Sequence, residues 1–190
     1  MSRALRLKRE FRDRRGQALT LCVAERGHAE EYLAHMSRIC SETPYMLQSP
    51  EDALLTVPEQ AKVLERFHSL DNCLCLLVLN EARPVGSRVI GSATFLGGRT
   101  NRTQHLCTLG MGVDRDDWGH GVGAVLLDTG LDWARGNPTV TQVTLKVFPQ
   151  NEGAVYLYSS RGFEREGELR REVRLGVEEH SLIGMGLCVG

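Results

Sequence analysis

The sequence predicts an α/β fold, a mixed sheet of about seven strands with about four helices on its faces. Two observations carry that prediction. Stretches of strand-like and helix-like hydrophobic period alternate along the chain in the order β-α-α-β-β-β-α-β-α-β-β. At their centre, Leu109 to Ala124 (LGMGVDRDDWGHGVGA) reads as a strand, a short acidic connection and a glycine-rich turn opening a helix. No linker, repeat or low-complexity tract interrupts the pattern, so residues 17–190 read as one domain behind a basic arm of residues 1–16.

The arm holds seven basic residues against two acids, a local net charge of +5, and reads as a solvated segment leading into a turn at Gly16. Gln17 to Ala24 alternates as a first strand, and His28 to Cys40 places Ala29, Tyr32, Leu33, Met36 and Ile39 at helical spacing. Ser41 to Thr56 has two prolines and no period, which marks a long functional loop. Thr56 and Glu59 then form a capping box, with Pro58 in the first turn of a helix running to about Leu70. Strands follow at Cys73 to Leu79, Arg88 to Leu96 and Gln104 to Val113. After the central helix come a strand at Val140 to Phe148 and a helix at Asn151 to Arg161. Gly162 to Glu168 and Arg174 to Leu187 are the last two strands.

With 190 residues, 42% hydrophobic and 25% charged, the chain has length enough for a proper core. A net charge of −1 argues against a general nucleic-acid binder. No apolar run is long enough to cross a membrane, and the charged N-terminus does not read as a signal peptide. The six cysteines show no zinc or redox spacing and sit mostly among apolar neighbours, so a cytoplasmic protein with no bound metal is expected. The sequence leaves a homodimer open.

A strand that delivers backbone amides to a helix N-terminus builds an anion site, because the first-turn N–H groups have no partner. The P-loop pattern fails, since no Lys-Ser or Lys-Thr pair closes the glycine run. Gly119, Gly121 and Ala124 do satisfy the dinucleotide pattern G-x-G-x-x-[GA], but the next strand, VTLKVFPQN, ends without the acid that pattern needs. A glycine-rich loop with no ligand is the plain alternative.

The stretch also resembles the Q/R-x-x-G-x-G/A turn of the GNAT acetyltransferases, with Trp118, Gly121 and Gly123 in its fixed places. Downstream, N-E-G-A-V-Y-L-Y-S-S-R-G-F resembles that family's second signature, N-x-x-A-x-x-x-Y-x-x-x-G-F, matched at Asn151, Ala154, Tyr158, Gly162 and Phe163. Two motifs in the family's order and spacing make a specific signal. The similarity extends loosely over the chain, toward the broad subgroup near the ribosomal-protein N-terminal acetyltransferases. It implies the GNAT fold, a mostly antiparallel sheet splayed in the middle, and acetyl-CoA as acyl donor.

The resemblance assigns the coenzyme pyrophosphate to the backbone of Trp118, Gly119, His120, Gly121, Val122, Gly123 and Ala124. Trp118 departs from the family's Arg or Gln, which puts one side-chain contact to the phosphates in doubt. The pantetheine arm falls to the backbone of Met111 and Val113 around Gly112. Gly110 and Gly112 in a strand otherwise suggest a bulge or a close ligand approach. Asn151, Ala154 and Tyr158 share a helix face, with Asn151 also suited to N-capping. The resemblance gives Asn151 and Ala154 to the coenzyme and sets Tyr158 to donate to its sulfur.

The acceptor side carries less signal. The strand before the turn lacks the acid that several GNAT members have, leaving His105 and Glu42 as candidate bases, each equally readable as a solvated polar residue. Three functions follow: transfer of acetyl to a primary amine by direct attack, a non-catalytic acyl-CoA binding module, or a dinucleotide-dependent oxidoreductase resting on the glycine match alone.

Overall fold

The computed structural model describes residues 7–49, 52 and 55–190. Its elements are β1 (Lys8–Arg12), β2 (Ala18–Val23), α1 (Ala29–Glu42), α2 (Val57–Ser69), β3 (Leu74–Leu79), β4 (Val89–Gly97), β5 (Leu106–Val113), α3 (Val122–Arg135), β6 (Gln142–Val147), α4 (Glu152–Ser159), β7 (Glu164–Leu175) and β8 (Glu178–Cys188). One sheet runs β1-β2-β3-β4-β5-β6-β8-β7, and β5–β6 is its parallel pair. This is the mixed, mostly antiparallel α/β fold with four helices, with eight strands rather than seven.

The additional strand comes from the basic arm. Lys8–Arg12 pairs antiparallel with β2, from Lys8 opposite Cys22 to Arg12 opposite Ala18. Only Leu7 and Phe11 of this segment pack on the core. Its hydrophobic period is therefore almost blank, and its charged side chains suit an edge strand that must not pair further. The expectation of a solvated arm is corrected for residues 8–12; residues 1–6 lie outside the described residues.

β3 is buried on both faces, which explains its unbroken apolar run. Leu74, Leu76 and Val78 enter the larger core with α3 and α4, while Cys75, Leu77 and Leu79 enter a second core under α1 and α2. The capping box of α2 is present, with Thr56 N donating to Glu59 Oε2 at 2.9 Å. The last two strands form one long hairpin across the two-residue turn Gly176-Val177, with a register shift between Leu169 and Val173. The gap expected between Glu168 and Arg174 is that irregularity, where polar side chains conceal the strand.

Candidate functional site

The site forms where β5 and β6 part. Their pairing covers Leu106 to Thr108 against Gln142 to Thr144 and stops there, while β4 follows β5 to Val113 without a break. Asp114 N donates to Ile90 O (2.9 Å) and Gly98 N to Leu106 O (3.0 Å), so the even-numbered residues of β5 bond to β4. Leu109, Met111 and Val113 therefore turn their N–H and C=O groups into the open splay. Trp118, which is 45% exposed, folds back so that its indole N–H donates to Val113 O at 2.7 Å. That occupies one of the groups expected to meet a ligand and leaves those of Met111 and the N–H of Val113.

Gly112 has a different reason to be glycine from the one its sequence suggests. The β4–β5 register is continuous here, so there is no bulge. A Cβ at Gly112 would lie 2.5 Å from Ile39 Cδ1, so the residue makes room for α1. Its own backbone groups face Ser92 of β4 rather than the splay.

The turn leaves β5 through a 3₁₀ segment, Arg115–Asp117, and reaches α3 through Gly119 (φ +75°) and Gly121 (φ +96°). Both glycines are in the left-handed region that a side chain disfavours. Gly121 is the N-cap of α3, and among the described residues no side chain caps the helix. The N–H groups of Val122, Gly123 and Ala124 thus point outward without a partner among the described residues, at the positive end of a 14-residue helix.

Residues that the motifs did not single out hold this turn. The backbone N–H of Arg14 donates to His120 O (3.0 Å), and its guanidinium donates to Gly119 O (3.2 Å). In a trans peptide the N–H opposes the C=O, so the N–H groups of His120 and Gly121 are aimed away from the β1–β2 turn. Asp13 shapes that turn, accepting from the backbone N–H groups of Arg15 and Gln17 at 2.9 Å each. Beneath the turn, Asp117 accepts from Arg15 (2.6 Å) and Arg83 (2.8 Å). Asp114 accepts from Arg38 and Arg83, both at 3.2 Å, and meets His35 Nδ1 at 2.8 Å. Burial pushes the Asp114 carboxyl up, but the His35 hydrogen bond and the nearby positive charges outweigh it and hold the group below its ordinary range. The acidic connection DRDD was the visible signal for this network; the distant arginines that answer it were not visible.

His35 Nε2 also lies 3.1 Å from Ser92 Oγ, completing a Ser-His-Asp order. All three are sealed, His35 entirely so, and a nucleophile that no substrate reaches is structural.

Asn151 caps α4, its side chain accepting from Ala154 N at 3.2 Å. Tyr158, with Ala154 packed nearby, shares the core cluster of Leu109, Met111, Val113 and Leu145. Its ring lies 5.8 Å from that of Phe163. Burial pushes the Tyr158 phenol up to about 12. The hydroxyl has no hydrogen-bond partner among the described residues, yet it is not a fully occluded atom. Met111, Val113 and the turn are thus gathered around the splay, with Tyr158 in the core that Met111 and Val113 pack against.

The two candidate bases are not. Glu42 ends α1 and accepts from Arg115 N at 2.8 Å, beside the turn at the outer end of the splay. His105 is exposed, and its carbonyl bonds Thr141 N at 3.0 Å, behind the closed end where the strands are still paired. Residues after α1 cross the splay, with Tyr45 Oη donating to Gln150 O (3.3 Å) and its ring 5.8 Å from Phe148. Residues 50, 51, 53 and 54 of this loop lie outside the described residues.

On the α1–α2 face a cavity of about 510 Å³ opens between those helices and β3–β4. Among the described residues no cluster of side chains suits a metal, and no helix is long and apolar enough to cross a membrane.

A sheet parted beside an uncapped, glycine-led helix is an architecture for an extended, anion-headed ligand. The comparisons agree with that class. Residues 40–163 match the model of the acetyltransferase (GNAT) family, and the chain belongs to that family. A GNAT-family acetyltransferase from Streptococcus pneumoniae is similar in structure, with a TM-score of 0.83 and 27% identity over 90% of this chain and 99% of that one. The fold is shared with yncA of Salmonella typhimurium, solved with its cofactor acetyl-CoA (TM-score 0.76, 17% identity, 90% and 94% covered). It is shared too with the ribosomal-protein-S5-alanine acetyltransferase of Vibrio fischeri (TM-score 0.76, 15% identity, 96% of each chain). No protein of curated function is a significant sequence match.

Proposed function

We propose that this chain transfers the acetyl group of acetyl-CoA to a primary amine by direct attack in a ternary complex. The observation that carries the reading is the parting of β5 from β6 directly before an α3 N-terminus that has no side-chain cap. The outward N–H groups from His120 to Ala124 suit the pyrophosphate, and Met111 and Val113 suit the amides of the pantetheine arm, as an added strand would. Where the family has Arg or Gln at the place of Trp118, here Arg14 supports the turn from behind: its guanidinium brings positive charge and, with its backbone N–H, fixes the peptide planes.

Tyr158 is the donor to the departing sulfur. Its phenol near 12 is a far weaker acid than a thiol near ~8.5, so full proton transfer to the thiolate would be uphill by roughly 5 kcal/mol. The hydroxyl therefore acts as a hydrogen-bond donor to the forming thiolate, and the neutral phenol is the working form at every ordinary pH. Burial pushes the thiols of Cys22 and Cys107 up to about 11 and about 12, which disfavours a thiolate nucleophile and a covalent acetyl-enzyme. Free cysteines of this kind suit a reducing, cytoplasmic setting.

Glu42 serves the turn at one end and His105 stands behind the other, so the acceptor must arrive largely neutral and pass its proton to water. An α-amine near ~8 is then favoured over a lysine-like amine near ~10.4, with roughly 250-fold more neutral form at pH 7. The same lack of a base at the inner end of the splay favours, as a second reading, a module that binds acetyl-CoA without turnover. Titrations with acetyl-CoA, acetylpantetheine and NAD, followed by turnover over a panel of α-amines, polyamines and aminoglycosides, separate the readings. Equal affinity for NAD and acetyl-CoA would overturn both of them.

A further inference from the structure

The cavity on the α1–α2 face reaches Thr94 of β4, the residue that pairs with Gly110 of β5. Its floor includes Thr94 and Leu96, which project from β4 on the same side as Ser92 beneath α1. Thr94 pairs with Gly110 of β5, and its hydroxyl donates to Gly110 O at 3.3 Å. Gly110 has no side chain and is exposed, so the floor continues open from the cavity to Met111, whose backbone faces the splay. An amine lying over Gly110 would have the cavity behind it.

The chemistry of the walls is specific. Leu55 (45% exposed), Val63 (37%) and Leu96 (44%) are three of the molecule's exposed large apolar side chains, and all three line this one cavity. Gln60 on α2 is 5% exposed, yet its side-chain amide has no hydrogen-bond partner among the described residues. No buried side-chain nitrogen or oxygen lacks a partner among the described residues, so this amide is not fully occluded and can meet a polar group of an occupant. At the far end stand Arg66 and Arg99, both exposed and neither in an ion pair among the described residues. Both line the cavity together with Cys73, whose thiol burial pushes up and the Gly97 N–H and the charges of Arg66 and Arg99 draw partly back.

We infer that this cavity holds the acceptor, and that the acceptor is a peptide α-amine with an apolar side chain and a carboxylate about 10 Å from the nitrogen. The inference rests on the acetyl-transfer reading above. The distance is that of three strand residues, from Thr94 beside Gly110 to Gly97 before Arg99, at ~3.3 Å each. The apolar side chain fills the space between α1 and α2, the Gln60 amide bonds the peptide backbone, and the carboxylate meets Arg66 and Arg99. A polyamine would bring cations against the two arginines and is disfavoured.

The test uses C-terminally amidated peptides Ala-Leu-Glu, Ala-Leu-Gln and Ala-Leu-Lys, with free Ala-Leu-Leu to ask whether a terminal carboxylate serves as well as a side-chain one. Wild-type kcat/KM should favour the Glu peptide over the Gln peptide by about tenfold, with the Lys peptide poorest. In Arg66→Ala/Arg99→Ala the Glu and Gln peptides should become equal while acetyl-CoA affinity is unchanged. In Arg66→Glu/Arg99→Glu the Lys peptide should lead. A wild-type preference for the Lys peptide, or an undiminished Glu preference in the alanine variant, overturns the inference. Peptide binding followed by NMR without acetyl-CoA separates the two levels. Charge-dependent binding with no turnover would leave the cavity assignment standing and remove the transferase reading. Transfer to other amines without charge preference would do the reverse.

Discussion

His35 Nδ1 on α1 lies 2.8 Å from Asp114 Oδ1, at the point where β5 ends and the turn begins. Through this contact the helix on one face of the sheet fixes the start of the loop that serves the other. The imidazole is wholly buried, with Ser92 as its second partner, so neither ring nitrogen has water to fall back on. His35→Ala should therefore cost about 3 kcal/mol in urea unfolding, since it opens a cavity and removes one partner of a buried carboxylate. Acetyl-CoA affinity should fall with it, because Asp114 would be held only by Arg38 and Arg83. Unchanged stability would mean that the two arginines alone position Asp114.

The same carboxylate gives stability an acid limit. Burial pushes its folded value up, but the His35 hydrogen bond and the Arg38 charge outweigh that and hold it below the ordinary one near ~3.9. A depressed carboxylate contributes stability that is complete above the unfolded value and is lost as pH falls through the lower folded value. Asp13, also held low, by backbone N–H groups and Arg15 against its own burial, adds in the same direction. Unfolding free energy should then drop steeply below about pH 4, and Asp114→Asn should flatten that slope. An equal acid slope in the variant would assign the acid limit to other carboxylates.

Arg14 makes a prediction confined to the phosphates. Arg14→Ala removes the side-chain bond to Gly119 O and one positive charge, but keeps the backbone bond to His120 O. One charge-assisted but exposed bond is worth about 1 kcal/mol, so acetyl-CoA affinity should fall about fivefold. Acetylpantetheine, which has no pyrophosphate, should bind as before. An equal loss for both ligands would show that Arg14 supports the fold of the turn and not its phosphate partner.

How much of this was legible follows from what each residue contributes to local pattern. The four helices and most of the expected strands have apolar positions in a readable pattern, though Gly162 to Glu168 is almost wholly polar, and β3 was readable because both its faces are buried. Lys8–Arg12 was not, because an edge strand is held by backbone bonds that leave no hydrophobic signature. The glycine turn was legible in composition, since Gly119 and Gly121 need positive φ that few other residues tolerate. Its supports were not, because Arg14, Arg15, Arg38 and Arg83 reach it from distant sequence and look like surface charge until the sheet assembles. Gly112 was noticed for a ligand, whereas the atom it accommodates belongs to Ile39.

That last contact is directly testable. Gly112→Ala would bring a methyl within 2.5 Å of Ile39 Cδ1, the end of a flexible side chain, so α1 or that side chain must shift. The cost should be about 1–3 kcal/mol, as for other overpacked sites. Ile39→Val alone should cost about 1 kcal/mol, yet the double variant should be more stable than additivity allows. Strict additivity in a double-mutant cycle would break the link between the two residues. If Gly112 instead served a ligand, the single variant would keep its stability and lose acetyl-CoA affinity.

Tyr158→Phe separates chemistry from packing. The ring and its contact with Phe163 remain, and the hydroxyl makes no hydrogen bond among the described residues, so stability should change by less than about 1 kcal/mol. If the hydroxyl donates to the departing sulfur, its contribution arises as charge builds there, in the transition state. Turnover should then fall by about 10²-fold while acetyl-CoA affinity changes little. The pH profile adds a second readout: a phenol at about 12 stays protonated across the working range, so wild type should show no alkaline limb from this group below about pH 11. Loss of affinity in step with turnover would make Tyr158 a binding residue. Undiminished turnover would return it to the core as an aromatic side chain and leave protonation of the thiolate to water.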